Sequence, residues 1–363
     1  MMPTIIFTGG GTAGHVAPNM ALIREFSHKS WDVAYIGSAD GIEKQMIQSL
    51  DIPFYSVSSG KLRRYLSFKN LLDPFKIVFG IVQAFFLLYK LKPDAVFSKG
   101  GFVAFPVVVG AWLNRIPVIA HESDMSPGLA NRLCFPFVNK ICLTFDAGRK
   151  HFKRQDKIEV TGTPIREQLF SGNSNRGLEL CGFNSEKPCL LVIGGSLGAG
   201  SINDCIRDAL PRLLEKYQII HLCGKGKVDA SLSGLIGYKQ FEYANEELAD
   251  LFAAASVVVS RAGANSLYEI LALGKPHILI PLSAEVSRGD QIQNAKYFQE
   301  LGISLVIENR SLNVDTLMQT LCDLELNKME IMSKINALNI KSATEQVVAI
   351  IEEQVHVQSA SAV

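Results

Sequence analysis

The sequence carries almost no net charge. In 363 residues, 36 Lys and Arg stand against 35 Asp and Glu, a formal charge of +1. That balance argues against a dedicated nucleic-acid binder, which needs a basic face to displace counterions from phosphates. The seven cysteines, at 134, 142, 181, 189, 205, 223 and 322, include no C-x-x-C pair. Most sit in apolar runs such as Cys189-Leu190-Leu191-Val192, where a thiol behaves as a small hydrophobe. A disulfide scaffold and a cysteine-ligated zinc are therefore excluded, and a reducing compartment fits. Met1-Met2-Pro3 runs straight into Thr4-Ile5-Ile6-Phe7 without the charged start and cleavage site of a secretory signal, so a cytoplasmic location is expected. No Asp-x-Asp pair and no Walker loop are present, which removes the usual marks of metal-anchored sugar transfer and of P-loop chemistry. What remains is an ordinary globular composition, 48% hydrophobic and 20% charged, long enough for two domains.

Short apolar or β-branched runs alternate with helix-length amphipathic segments, the pattern of an α/β fold with parallel sheets. Strands are predicted at 4–8, 32–36, 53–57, 94–98, 117–121 and 139–144. A second series is predicted at 189–193, 218–223, 238–241, 256–260, 276–280 and 303–307. The polar, Gly-rich stretch Ser171-Gly172-Asn173-Ser174-Asn175-Arg176-Gly177 has no hydrophobic period and is expected near the domain boundary.

The two halves echo each other. Ile5-Ile6-Phe7-Thr8-Gly9-Gly10-Gly11 is a strand running into a glycine loop, and Leu190-Leu191-Val192-Ile193-Gly194-Gly195-Ser196 repeats it. Val96-Phe97-Ser98-Lys99-Gly100-Gly101 likewise has a counterpart in Val258-Val259-Ser260-Arg261-Ala262-Gly263. The expectation is two Rossmann-like, doubly wound parallel-sheet domains, over 1–163 and 164–340, with a C-terminal helix in 341–363 packing back towards the first. Such sheets bind ligands outside the carboxyl ends of their strands, so two facing edges would form a cleft.

Gly9-x-Gly11-x-x-Gly14 matches the dinucleotide fingerprint in form and position. A nicotinamide cofactor also needs an acidic residue at the end of the second strand, and that strand ends Tyr35-Ile36-Gly37-Ser38 with Asp40 beyond it. The nicotinamide reading weakens, while a glycine turn serving only backbone geometry stays open. His15 follows the loop in the expected first helical turn, where the helix dipole disfavours imidazolium. A neutral imidazole there suits a general base acting on a hydroxyl, with a capping or packing role as the alternative. Around Ser196, Gly194-Gly195-Ser196-Leu197-Gly198 offers a second nest of amides, suited to a diphosphate. Glu269 falls inside a predicted helix, where its carboxylate could accept from a ribose diol or pair with Arg261 at the surface. Gln291 is donor and acceptor at once, as sugar hydroxyls require. His121-Glu122-Ser123-Asp124 ends the fifth strand and lacks the second histidine of a zincin.

The segment from Lys61 to Lys92 differs in kind. Lys61, Arg63, Arg64, Lys69 and Lys76 flank the continuous apolar run 77–89. At 13 residues it falls short of the roughly 20 that span a bilayer. A sheet-covering helix and an interfacial helix on an anionic leaflet both fit, on opposite faces if both hold.

Taken together, the motifs GGTAGH, GGF, HESD-x-x-PGLANR, TGTPIR, GGSLGA, SRAGANSLYE and GDQIQNA resemble, in order, those of the MurG family of glycosyltransferases. The resemblance runs from about Ile5 to beyond Asn294. It implies an inverting, two-domain GT-B enzyme that moves N-acetylglucosamine from UDP-GlcNAc to undecaprenyl-diphospho-MurNAc-pentapeptide at the cytoplasmic face of the inner membrane. No cofactor, no metal and no nucleic acid are implied. By the same resemblance the catalytic residue is His15. The UDP-GlcNAc set is Thr12, Ala13, Gly14, Asp124, Arg166, Ser196, Asn245, Arg261, Ala264, Asn265, Ser266, Glu269 and Gln291. Gly100, Gly101 and Phe102 would lie on the acceptor side. Two positions depart from the family's common pattern: Ala13 replaces a glycine, and Ser123-Asp124 replaces Gln-Asn. Another UDP-sugar lipid transferase and a UDP-GlcNAc 2-epimerase share the fold and donor. A scaffold with a decayed nucleotide fold would have lost the glycines, His15 or Glu269, and all are present.

Overall fold

A computed structural model describes residues 2–60, 68–195 and 198–361. The chain forms two compact units, residues 1–166 with 342–363, and residues 167–341. In unit 1 the strands are β1 (Thr4–Thr8), β2 (Asp32–Gly37), β3 (Phe54–Ser56), β4 (Ala95–Ser98), β5 (Val118–Glu122), β6 (Lys140–Leu143) and β7 (Ile158–Val160). Its helices are α1 (Ala17–His28), α2 (Ile42–Ile47), α3 (Phe68–Leu91), α4 (Ala104–Leu113) and α5 (Leu129–Cys134). Unit 2 holds α6 (Ser174–Cys181), β8 (Cys189–Ile193), α7 (Gly200–Lys216), β9 (Gln218–Leu222), β10 (Tyr238–Phe241), α8 (Leu248–Ala254) and β11 (Ala255–Ser260). It continues through α9 (Ala264–Ala272), β12 (His277–Leu279), α10 (Asp290–Glu300), β13 (Leu305–Val306) and α11 (Val314–Ala337). The last helix, α12 (Thr344–Ser361), belongs to unit 1.

Both sheets are parallel, ordered β3-β2-β1-β4-β5-β6-β7 and β10-β9-β8-β11-β12-β13. In each the order in which strands are added reverses once, between β1 and β4 and between β8 and β11, and the carboxyl ends at that switch point are where such sheets take ligands. Along β1, Ile5 and Phe7 enter one core cluster and Ile6 the other, as the period of two demands. Helices cover both faces, so the inner strands read as continuous apolar runs, which is why their positions could be read from sequence. Val347, Val348 and Ile351 of α12 complete one of those faces. The strand β7 was not predicted; its Ile-Glu-Val is three residues long and follows the charged Asp156-Lys157.

The stretch 171–177 lies inside unit 2, a few residues past the division between Arg166 and Glu167. Its glycines allow close packing: a Cβ on Gly172 would lie 2.1 Å from the Ala249 carbonyl oxygen, and one on Gly177 2.2 Å from that of Asp250. The polarity is also used, since Asp250 accepts from Asn173 N at 2.7 Å and from Arg176 Nη2 at 2.9 Å.

Helix α3 corrects one expectation. Its 24 residues exceed the 13-residue apolar run, and Asp73–Leu91 alone is long and apolar enough to cross a bilayer by length and composition. Gly80, Ala84 and Leu88 make a narrow buried stripe, and a Cβ on Gly80 would meet the Ser58 carbonyl oxygen at 2.0 Å. On the opposite side Phe75, Val78, Phe79, Val82, Phe86 and Tyr89 recur at helical spacing and face outward, Phe75 at 73% and Phe86 at 63% exposure. Lys61, Arg63 and Arg64 lie outside the described residues.

Gly177→Ala is expected to destabilise the protein by about 1–3 kcal/mol, because α6 must move off α8. Gly200→Ala, with nothing near its Cβ, should cost nothing. Urea denaturation of both variants checks this, and equal midpoints would contradict it.

Candidate active site

Unit 1 builds its ligand edge from backbone first. Tyr35 Oη donates to the Gly9 carbonyl at 2.7 Å and receives Asn19 Nδ2 at 3.1 Å, so buried side chains fix the exit of β1. Burial pushes the Tyr35 phenol well above its ordinary range, which keeps its proton available for that bond. Gly10 N donates to the Gly100 carbonyl at 3.1 Å. A Cβ on Gly101, whose φ is +87°, would stand 2.2 Å from the Gly10 oxygen. The loops after β1 and β4 thus touch main chain to main chain, and only glycine permits it.

Glu43, fully buried on α2, accepts from Gly11 N at 3.2 Å and from Ser38 N and Oγ at 3.0 and 2.5 Å. The Gly11 amide, which a dinucleotide pyrophosphate would need, is therefore spent on the protein's own carboxylate. That removes the main support for a nicotinamide cofactor. Sequence reasoning weighed Asp40 and passed over Glu43; the signal was Gly41, which leaves room for the returning carboxylate.

His15 closes a short 3₁₀ turn, Ala13–His15, and stands just ahead of α1 rather than in its first turn. Its Nδ1 lies 3.0 Å from the Gly10 carbonyl oxygen and 3.1 Å from Thr12 Oγ1. A carbonyl only accepts, so Nδ1 carries a hydrogen, and in the neutral ring the lone pair therefore sits on Nε2. Thr12 is exposed, and Ala13 and Gly14 are half-buried beside it. Ala13 takes helical backbone geometry, so its methyl costs the turn nothing. Gly100, Gly101 and Phe102 lead into α4, with Phe102 half-buried.

Beyond β5, the buried Glu122 organises the turn that carries Asp124. Its carboxylate accepts from Asp124 N and Gly128 N at 3.0 Å each and from Asn131 Nδ2 at 2.9 Å. Glu122 and Asn131 were not singled out as site residues from sequence, though both stand in the quoted motif. Arg166 ends unit 1, and its Nε is buried without a hydrogen-bond partner among the described residues. The preceding residue, Ile165, is tied to Ser342 Oγ at 3.0 Å.

In unit 2, Ser196 lies outside the described residues. The loop around it turns at Gly195 and Gly198, whose φ angles are +87° and +67°, and a Cβ on Gly198 would fall 1.9 Å from the Cys223 oxygen. Arg261 is an internal brace and not half of a surface ion pair with Glu269. It is only 9% exposed; its Nη1 donates to the Ile280 carbonyl at 3.0 Å and Asn309 Oδ1 at 2.7 Å, and Nη2 to Ser201 Oγ at 3.0 Å. That ties the end of β11 to the first turn of α7.

Ala264, Asn265 and Ser266 open α9, and Glu269 follows one turn on, sharing a half-buried face with Asn265 and Ser266. Leu267, Ile270 and Leu271 take the buried face. Gln291 opens α10 beside Gly263, and its Oε1 accepts from Leu282 N at 3.1 Å, which leaves the amide N–H groups to offer a ligand. Asn294 pins the same turn by donating to the Ala262 carbonyl at 3.1 Å. The structure thus gathers Arg261, Ala264, Asn265, Ser266, Glu269 and Gln291 at the ends of the neighbouring strands β11 and β12. Asn245 is separate from that group: exposed, it follows the edge strand β10.

Residues 5–143 match the glycosyltransferase family 28 N-terminal domain, and residues 189–352 match the family 28 C-terminal domain. A relative from Legionella pneumophila (strain Lens), named UDP-N-acetylglucosamine--N-acetylmuramyl-(pentapeptide) pyrophosphoryl-undecaprenol N-acetylglucosamine transferase, is 75% identical over 99% of each chain. The chain belongs to the MurG group of glycosyltransferase family 28. A Bacillus cereus (strain ATCC 14579) transferase 2 of the same printed name is 49% identical over 97% of this chain and 100% of its own. Among solved structures, MurG of Acinetobacter baumannii superposes with a TM-score of 0.76 at 25% identity, covering 97% of this chain and 99% of that one. Family 28 membership accounts for two parallel sheets with glycine turns at both reversal points.

Proposed function

We propose that this chain transfers N-acetylglucosamine from UDP-GlcNAc to the 4-hydroxyl of MurNAc-pentapeptide-pyrophosphoryl-undecaprenol, with inversion at C1. The observation that carries the chemistry is His15 Nδ1 held at 3.0 Å from the Gly10 carbonyl, which makes Nε2 a proton acceptor. Unit 2 is the donor side. Glu269 accepts from the ribose diol, Gln291 donates to sugar hydroxyls, and Asn265 and Ser266 at the start of α9 meet the nucleotide sugar together with Ala264. Asn245 presents its backbone to the uracil edge. Ser196 and its neighbouring amides take the diphosphate, and Arg166 completes the donor set. Arg261 serves that set by fixing the first turn of α7.

Unit 1 is the acceptor side, with Gly100, Gly101 and Phe102 beside His15. Thr12, Ala13, Gly14 and Asp124 reach the donor sugar. In the step itself, the acceptor oxygen forms a bond to C1 as the bond from C1 to the UDP oxygen breaks. The hydroxyl proton passes to His15 Nε2, and the leaving diphosphate is stabilised by the backbone amides of unit 2. Incubation with UDP-GlcNAc and a soluble analogue of the lipid acceptor should give a β-linked disaccharide and UDP in equal amounts. His15→Ala should lower turnover about 10²- to 10⁴-fold while donor affinity changes little. UDP or an epimerised sugar formed without acceptor, or undiminished turnover in His15→Ala, would contradict this reading.

The exposed apolar stripe of α3 gives the protein a peripheral seat on the cytoplasmic face of the inner membrane. The stripe lies along the surface and does not span, because Ala84 and Leu88 of the same helix belong to the core of unit 1. Flotation with vesicles containing anionic lipid should recover the protein. Phe79→Ser with Phe86→Ser should abolish recovery without changing turnover on the soluble acceptor. Unchanged flotation of the double variant would refute the seat.

A further inference from the structure

Unit 1 buries a lysine that the transfer step leaves unused. Lys99 follows the last residue of β4 and is 1% exposed. Its Nζ lies 2.8 Å from His121 Nδ1 and donates to Ser123 Oγ. The imidazole fixes the sense of the first contact: His121 Nε2 donates to the Gly162 carbonyl at 2.8 Å, so Nδ1 is the acceptor. Burial, together with the charge of Lys99, holds His121 far below the ordinary imidazole range, so it stays neutral.

The corresponding station in unit 2 is Arg261. Lys99 and Arg261 each follow the strand beside the glycine-loop strand, and each donates its backbone N–H back to that strand, to Thr8 at 2.9 Å and to Ile193 at 3.3 Å. Both are buried cations held by neutral acceptors. An apolar side chain would satisfy a core more cheaply, so a cation retained at both stations points to a role beyond packing.

We infer that Lys99 is a positioning residue for glycosyl transfer, its ammonium holding the Ser123–Asp124 turn in the geometry in which Asp124 meets the sugar. The inference rests on the role proposed above for Asp124. Lys99 grips the turn through Ser123 Oγ, opposite the anchorage that Glu122 gives it. The titratable groups around the ammonium are Glu122 and His121 from β5, Asp124 from the turn and Cys142 from β6; the two carboxylates favour its protonated form, His121 is neutral, and burial pushes the Cys142 thiol up to about 12, so it carries no charge near pH 8. Burial outweighs the carboxylates and brings the lysine down to about 8. Above that pH the grip loses its charge and transfer falls. Stability moves the other way. With the folded-state value below the ordinary lysine value of 10.5, the unfolded chain holds this proton more tightly between about 8 and 10.5, so the contribution of Lys99 to stability rises with pH through that window.

The test is transfer kinetics from pH 6.5 to 10 on the full chain, beside thermal unfolding, for the wild type, Lys99→Met and Ser123→Ala. In the wild type, acceptor kcat/KM should fall about tenfold per pH unit above a midpoint near 8, while the protein stays folded at the assay temperature. Lys99→Met should lose about 10- to 100-fold in acceptor kcat/KM at pH 7, keep its donor affinity, and show no limb near pH 8. Ser123→Ala keeps the charge but removes an acceptor, so its midpoint should move down by about half a pH unit or more, and it serves if Lys99→Met fails to fold. A limb that persists unchanged in Lys99→Met, or a midpoint unmoved in Ser123→Ala, would overturn the inference. Absence of transfer by the wild type at any pH would instead reject the proposed function.

Discussion

The site in unit 1 depends on a contact that leaves no room for a β-carbon. Gly10 and Gly101 meet main chain to main chain, so the loops after β1 and β4 share one wall. Once that wall is set, the Gly10 carbonyl has a fixed direction. One residue group after another takes its place from it: Glu43 closes on the Gly11 amide, Tyr35 holds Gly9, and His15 turns its Nδ1 to the Gly10 oxygen. Unit 2 repeats the device at Gly198, whose α-carbon is pressed against the Cys223 carbonyl. In both units glycine is required for close approach as much as for its freedom at positive φ.

What the sequence made legible follows from which forces act locally. Strands buried on both faces, such as β1, β8 and β11, are continuous apolar runs and could be placed to within a residue. The glycine turns after β1 and β8 follow directly from those strands, whereas the helices beyond begin two residues after His15 and as early as Ala264. What stayed hidden depends on residues distant in the chain. Glu43 and Lys99 look like ordinary surface charges in sequence, and only the parallel packing of β1, β2 and β4 brings them under the loops. The 171–177 stretch lies close to the division of the two units, but its glycines also serve a tight helix contact that the sequence did not reveal, as the Gly177 approach to Asp250 shows. Arg261 was expected to contact the ligand or to form a surface ion pair, and its guanidinium instead points inward to Ser201 and Asn309.

Charge is handled economically in a protein of nearly zero net charge. The functional edges do not rely on a broad basic field. They use single cations set under glycine loops, backbone dipoles, and histidines oriented by carbonyls. Four polar anchors in unit 1, Glu43, Glu122, Lys99 and His121, are buried, and their hydrogen bonds run to loop backbone or to each other's neighbours. Such anchors cost desolvation energy and return a defined loop geometry.

The central claim is that the Gly10 carbonyl fixes which tautomer the neutral His15 ring adopts, with the hydrogen on Nδ1 and the lone pair on Nε2. The direct measurement is a pH series of ¹⁵N NMR spectra of imidazole-labelled protein, with the His15 signals assigned by comparison with His15→Gln. In the neutral ring a protonated Nδ1 and an unprotonated Nε2 are predicted. A neutral ring with its hydrogen on Nε2 would contradict the account.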